Sequence, residues 1–338
     1  MLHSILKDKI PDYAELEIFF FEKCPLSCVH CFQNHKSTVG MSREEIMSKV
    51  SVIESFYKRN SKEHVIANVM GGELFSDDLI EKGYLDIYSD FINEIDKLGK
   101  KTTFNFVSAL TQKNTTEFVS WLKKHNIKLS VSYDLTGRFN KENLLQFKKN
   151  IEVFKEHIRT ICLVATKQNM YRLMEQGDEY YDYLYRHFDC YWDQLTPGPT
   201  VPSRLVPSER DLYNFNIFCI ENYPKVTNLD SFLNMKDQNK MICPSINKLL
   251  VEANNKTSSC RVHQHDDSKD FISPVEKTND PIIQKFLDDH NCLTCEYFKK
   301  CPFSCFVRHD WKRLDRDFDG CVYKETFRYV ESRVDKSK

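Results

Sequence analysis

The sequence predicts an α/β chain: a partial (β/α)6 TIM-like barrel followed by a small cysteine-rich domain. Three observations predict it. Short apolar or β-branched runs alternate with amphipathic helical stretches up to about residue 195, the pattern of parallel strands joined by helical crossovers. Four prolines and one glycine gather in 196–207, where such a pattern ends. Beyond residue 230 helical periodicity fades and cysteines become dense. The boundary falls near 225–240, which divides the chain into 1–225 and 226–338.

The elements follow in order. The apolar run 16–21 reads as a buried first strand. Ser42 and Glu45 form a capping-box pattern ahead of an amphipathic helix over 43–59. The run 64–70 is the second strand, and the helix over 84–98 has Tyr84, Ile87, Tyr88, Phe91, Ile92 and Ile95 on one side. Strands over 102–107, 127–133, 158–165 and 190–195 then alternate with helices over 115–125, 141–157 and 170–187. Ser208 and Asp211 open one more helix, to 222. In the C-terminal part, 248–259 reads as a β-hairpin around Asn254-Asn255. The basic–aromatic stretch 308–333 reads as a solvated helix, with contact to a partner as the alternative.

Composition excludes several classes. With 41% hydrophobic and 29% charged residues the chain is a globular protein with a sizeable core. A net charge of −1 gives no electrostatic footprint for nucleic acid or an anionic membrane. No apolar stretch reaches the length of a membrane span, and the N-terminus lacks a secretion signal. The expected location is the cytoplasm. About 23 residues precede the first cysteine of the loop described next, too few for a separate peptide-recognition domain.

Thirteen cysteines need an explanation. An odd count without a secretion signal argues against disulfides. Cys162, Cys190 and Cys219 lie in apolar or aromatic surroundings and read as ordinary buried thiols. The other ten fall in two groups. The first, right after strand one, is Cys24-x3-Cys28-x2-Cys31. Three thiolates on one short loop fit a zinc site, or three corners of a four-iron cluster with one iron left open. The second group is Cys243, Cys260, Cys292, Cys295, Cys301, Cys305 and Cys321. Two zinc sites, and hence a non-enzymatic binding module, are one reading of it.

Gly71-Gly72-Glu73 follows the second strand. Two glycines allow close approach to the backbone, and Glu73 offers a carboxylate to a positive group. Taken with the cysteine loop, this motif resembles the radical S-adenosylmethionine enzymes, and the seven later cysteines resemble the SPASM domain appended to their peptide- and protein-modifying members. His30 stands where the superfamily usually has an aromatic residue, and Val107-Ser108-Ala109 where many relatives have Thr-Asn-Gly.

The resemblance implies the following. Cys24, Cys28 and Cys31 hold a [4Fe–4S] cluster whose open iron chelates S-adenosylmethionine, and one electron cleaves the sulfonium to a 5′-deoxyadenosyl radical. His30, Phe32, Gly71, Gly72, Glu73 and Ser132 contact that cosubstrate. Cys243, Cys260 and Cys305 hold a first auxiliary [4Fe–4S] cluster, and Cys292, Cys295, Cys301 and Cys321 a second, making three in all. Asp134 lies beside the expected pocket and is a candidate base without an assigned step. The implied reaction is hydrogen abstraction from a ribosomal precursor peptide and an oxidative thioether or C–C crosslink. Formylglycine formation in a sulfatase and dehydrogenation of a sugar-type small molecule are the alternatives. The implied electron donor is a flavodoxin, ferredoxin or reductase, and the peptide's leader is expected to be recognised by the barrel mouth, by the auxiliary domain or by a separate leader-recognition protein.

Overall fold

The computed structural model describes residues 11–195, 201–234, 247–258, 281–301, 318 and 320–336. It contains the six βα units expected from the sequence: β1 (Tyr13–Phe19), β2 (His64–Met70), β3 (Lys101–Ser108), β4 (Lys128–Tyr133), β5 (Ile158–Ala165) and β6 (Cys190–Gln194), each followed by helix. Backbone packing divides the chain into two compact units, described residues 12–161 with 247–258, and 162–234 with 281–336. β5 leads from one to the other.

In the first unit β1, β2, β3 and β4 pair in parallel. β7 (Lys248–Val251) joins the free side of β1, also parallel, and β8 (Thr257–Ser258) turns back antiparallel to it. The hairpin is therefore present, and Asn255 takes the left-handed conformation (φ 67°) that Asn tolerates. Its attachment to β1 is new information, since strand partners 230 residues apart leave no local trace.

Strand alternation places one face against helices. Val65, Ala67 and Val69 are fully buried while their neighbours on β2 are half-buried. The helical side is an aromatic core. Phe75 stacks on Phe118 at 4.0 Å, and Phe20 on Tyr88 at 5.3 Å. Each such ring, fully buried, contributes roughly 1.5–3 kcal/mol of hydrophobic stabilisation. These rings come from the residue just after β1, from the segment after β2, and from α3 (Tyr84–Asp96) and α4 (Thr116–His125). α1 (Arg43–Arg59) carries the predicted capping box and buries Ile46, Ile53 and Phe56.

The opposite face is polar. Asn68, Asn105, Ser130 and Thr160 link β2 to β5 side chain to side chain at 2.8–3.0 Å. Beyond β2, buried Glu17 on β1 pairs with Lys248 on β7 at 2.7 Å.

Two helical stretches differ from expectation. A short helix α2 (Asp77–Glu81) precedes α3. The stretch 170–187 is two helices, α6 (Lys167–Gln176) and α7 (Glu179–His187). Gly177 (φ 66°) breaks them, and Asp178 caps the second by accepting from Tyr181 N at 2.7 Å. Between β4 and β5, α5 (Lys141–Val153) ends before a short 3-10 turn.

In the second unit, α8 (Glu209–Asn222) carries the predicted Ser208–Asp211 capping box. Cys162, Cys190 and Cys219 are buried, as expected of structural thiols. α9 (Pro281–Asp289) precedes the cysteine-bearing turn at 292–295. α10 (Val322–Lys336) bears out a helix in the C-terminal part of the stretch 308–333 and corrects its solvated character there, while 308–317 lie outside the described residues. Phe327 is fully buried, stacked on Tyr297 at 4.8 Å and close to Phe232.

No described helix is long and apolar enough to cross a membrane.

Candidate active site

Parallel strands bring their carboxyl ends to one edge of the sheet, the edge at which α/β folds bind ligands. Four segments leave that edge side by side. The cysteine loop follows β1, Gly71-Gly72-Glu73 follows β2, Ser108-Ala109 ends β3 and Asp134 follows β4.

The glycines bring this chain's own backbone close. Phe20 N donates to Met70 O (3.0 Å), Gly72 N to Phe21 O (2.9 Å) and Glu73 N to Lys23 O (3.3 Å). The ladder thus runs past the strand ends into the cysteine loop. A β-carbon on Gly71 would lie 2.5 Å from Phe21 O, and one on Gly72 1.8 Å from Lys23 O. Any side chain there would force the two segments apart.

Glu73 is 2% exposed. Its Oε1 accepts from Ser108 Oγ (2.9 Å) and Phe75 N (3.2 Å), its Oε2 from Ala109 N (2.6 Å). Burial pushes its pKa up, opposed by those donors and by the Arg138 guanidinium. Ser108 and Ala109 thus orient the carboxylate, a role that sequence reasoning missed. The available signal was their position at the end of the strand next to β2. Leu110, just beyond, has φ 50°, a rare conformation for Leu. Asn150 binds its carbonyl at 2.9 Å.

In the cysteine loop, Cys24, Cys28 and Cys31 are half-buried thiols, none of them in a disulfide. Cys31 N donates to Cys28 O at 3.1 Å, and Cys24 N to His35 O at 3.2 Å, closing the loop. Leu26 N donates to Cys24 Sγ at 3.4 Å. Burial, then the Glu73 charge, push the Cys24 thiol up to about 12. Burial also raises Cys28, opposed by Arg138. A metal that binds these thiols displaces their protons.

The donors fit a thiolate-bound cluster: three soft ligands on one loop, one sulfur already accepting an N–H. Among the described residues no three His, Cys, Asp or Glu side chains gather around one ion-sized point. A cubic cluster does not require that, because each thiolate binds its own corner.

His30 is buried. Its Nε2 lies 3.7 Å from Asp134 Oδ2, and its Nδ1 has no hydrogen-bond partner. Burial pulls its pKa down, and Asp134 opposes this. Phe32 meets Phe19 edge-on at 6.0 Å and lines a small cavity with Glu22, Ser37 and Asn254. Ser132 is half-buried on β4, on the same strand face as Ser130.

Cys243, Cys260 and Cys305, expected around the first auxiliary cluster, lie outside the described residues. In the second unit Cys292 is buried, and Cys295, Cys301 and Cys321 are half-buried. Burial raises the Cys321 thiol, and Cys295 is close enough to add to the rise.

No protein-family model matches the chain, and no curated protein matches it in sequence. Solved structures do match. One is native anSMEcpe with bound AdoMet and the Cp18Cys peptide: 17% identity, TM-score 0.63, over 96% of this chain and 98% of that one. The same protein with AdoMet alone gives 16% identity and a TM-score of 0.65 over the same shares. SuiB of Streptococcus suis gives 17% identity and a TM-score of 0.53, over 91% of this chain and 76% of that one. At these identities the likeness is one of fold. The chain shares the fold of these proteins, and the α/β fold class is the one expected from the sequence.

Proposed function

We propose that this chain is a radical S-adenosylmethionine enzyme with a SPASM domain that oxidatively modifies a ribosomally made precursor peptide. One observation carries the reading. Gly72 and Glu73 are hydrogen-bonded to Phe21 and Lys23, the residues that lead into the Cys24–Cys28–Cys31 loop, at the carboxyl edge of a parallel sheet, in a fold shared with an AdoMet- and peptide-bound protein.

In this reading Cys24, Cys28 and Cys31 hold a [4Fe–4S] cluster. When bound, it supplies the electron that cleaves S-adenosylmethionine to a 5′-deoxyadenosyl radical. Glu73, aimed by Ser108 and Ala109, receives the methionyl ammonium. The buried carboxylate favours a cation because ions are weakly screened away from water. His30, Phe32, Gly71, Gly72 and Ser132 enclose the rest of the cosubstrate. Residues 1–225 form the catalytic part. Residues 226–338 carry two auxiliary clusters, on Cys243, Cys260 and Cys305, and on Cys292, Cys295, Cys301 and Cys321. A flavodoxin, ferredoxin or reductase donates the electron, and a separate protein presents the peptide's leader.

A second reading is oxidation of a cysteine or serine in a protein substrate to formylglycine.

Anaerobic purification with iron and sulfide analysis tests the proposal. It expects about twelve irons per chain, from three four-iron clusters, and 5′-deoxyadenosine on adding reductant and S-adenosylmethionine. Cys28→Ala abolishes that release. Zinc without iron, or undiminished release in the variant, rejects the assignment. Mass change in a peptide encoded beside the gene then separates the two substrate readings.

A further inference from the structure

The turn after β4 meets the cysteine loop at two points. Gly137 (φ 79°) lies so close to Val29 that a β-carbon would sit 2.8 Å from Val29 Cγ2. Three residues earlier, the fully buried Asp134 side chain takes Arg138 Nε at 2.5 Å and faces His30 Nε2 at 3.7 Å. Val29 and His30 are the two residues between Cys28 and Cys31. The charges of Asp134 and Arg138 both act on Cys28, with opposite sign, and that of Arg138 also reaches Glu73. One five-residue turn therefore packs against the loop and sets a carboxylate and a guanidinium beside it.

We infer that the turn 134–138 is a clamp on the cysteine loop, with Asp134 and Arg138 as positioning residues that fix its path and set the reduction potential of the group it holds. The second half rests on the reading of the loop as a cluster site; the clamp itself does not. Asp134 is then no catalytic base. Its buried carboxylate, bound to a guanidinium, serves the loop.

The charges give the potential a sign. Reduction adds a negative charge beside Cys28. The guanidinium favours the reduced form and the carboxylate opposes it, with little screening at a buried site. Arg138→Gln lowers the potential, Asp134→Asn raises it, and the double variant returns towards wild type.

Two measurements on the full chain decide the matter. In the cluster-free protein, iodoacetamide labelling read by peptide mass spectrometry follows Cys24, Cys28 and Cys31, with buried Cys219 as internal reference. Asp134→Asn, Arg138→Gln and His30→Phe are expected to label the loop about tenfold faster, equivalent to about 1.4 kcal/mol of lost holding, with Cys219 unchanged. His30→Phe keeps an aromatic ring and loses only the contact with Asp134. Wild-type labelling in all three variants overturns the clamp, and equal acceleration at Cys219 reduces it to general destabilisation, which overturns it too. After reconstitution with iron and sulfide, a redox titration followed by electron paramagnetic resonance reads the potential. Opposite shifts support the tuning role; shifts of one sign, or none, overturn it. If no iron binds, the proposed function fails while the labelling result still judges the clamp.

Discussion

Lys49 Nζ on α1 lies 2.9 Å from the carbonyl oxygen of Ala253, 204 residues further along the chain. The same ammonium donates to Glu252 O at 2.9 Å and to Asn255 Oδ1 at 2.8 Å. A fully buried lysine thus closes the turn of the β7–β8 hairpin.

Lys49→Met is expected to destabilise the protein by about 2 kcal/mol, because buried acceptors lose their donor. Urea unfolding measures it. Burial, opposed by Glu45, pulls the Lys49 pKa from 10.5 down to about 8. Between pH 8 and 10.5 the unfolded chain therefore keeps a proton that the folded chain has released, and folding is favoured as pH rises. The stability of wild type relative to Lys49→Met should increase across that window. A flat or falling difference contradicts the assignment.

Gly72→Ala places a carbon where Lys23 O now stands. The cysteine loop must move while the helices remain packed. Circular dichroism should stay near wild type, and iron bound per chain after reconstitution should fall several-fold. Normal iron content would mean that the loop accommodates the methyl group.

Glu73→Gln keeps the shape and removes the charge. S-adenosylmethionine affinity, measured by calorimetry, should weaken by at least about tenfold, the loss of roughly one charge-assisted hydrogen bond. The Cys24 thiol should also ionise at lower pH in the cluster-free chain, since the Glu73 charge is one of the two main causes of its rise. The pH dependence of alkylation at Cys24 reads this without cosubstrate.

Lys248→Met leaves the buried Glu17 charge without its partner across β1 and β7. Breaking a buried pair from one side costs about 3–5 kcal/mol. Glu17→Gln combined with Lys248→Met should recover most of that loss. Additive losses in the double variant would show that the two side chains act separately.

Much of this molecule is legible in its sequence. Strands announced themselves by apolar runs, helix starts by Ser42–Glu45 and Ser208–Asp211, and the hairpin by Asn254-Asn255. All are local signals, decided within a few residues. What escaped is decided by distant chain. Gly71 and Gly72 read as room for a ligand, but they face Phe21 and Lys23. The burial of Lys49 is decided by the hairpin turn at 252–255, about 200 residues along the chain. The buried face of α10 depends on Phe232 and Tyr297, about 30 to 95 residues away. The break at Gly177-Asp178 was a local signal, overridden by the strong periodicity on either side.

The row Asn68–Asn105–Ser130–Thr160 has a consequence for accuracy at the site. Parallel strands held only by backbone bonds and greasy side chains can misalign, and one residue of slip moves a strand by roughly 3.3 Å. Each member of this row has a neighbour of matching donor or acceptor at one level only. The row works like alignment pins through stacked plates. It levels the carboxyl ends of β2, β3 and β4, and with them Glu73, Ser108 and Asp134. A slip of any one strand would leave its pin unseated and its neighbours' polar groups unmatched, so the tolerance of the edge above is set by polar atoms three to five residues below it.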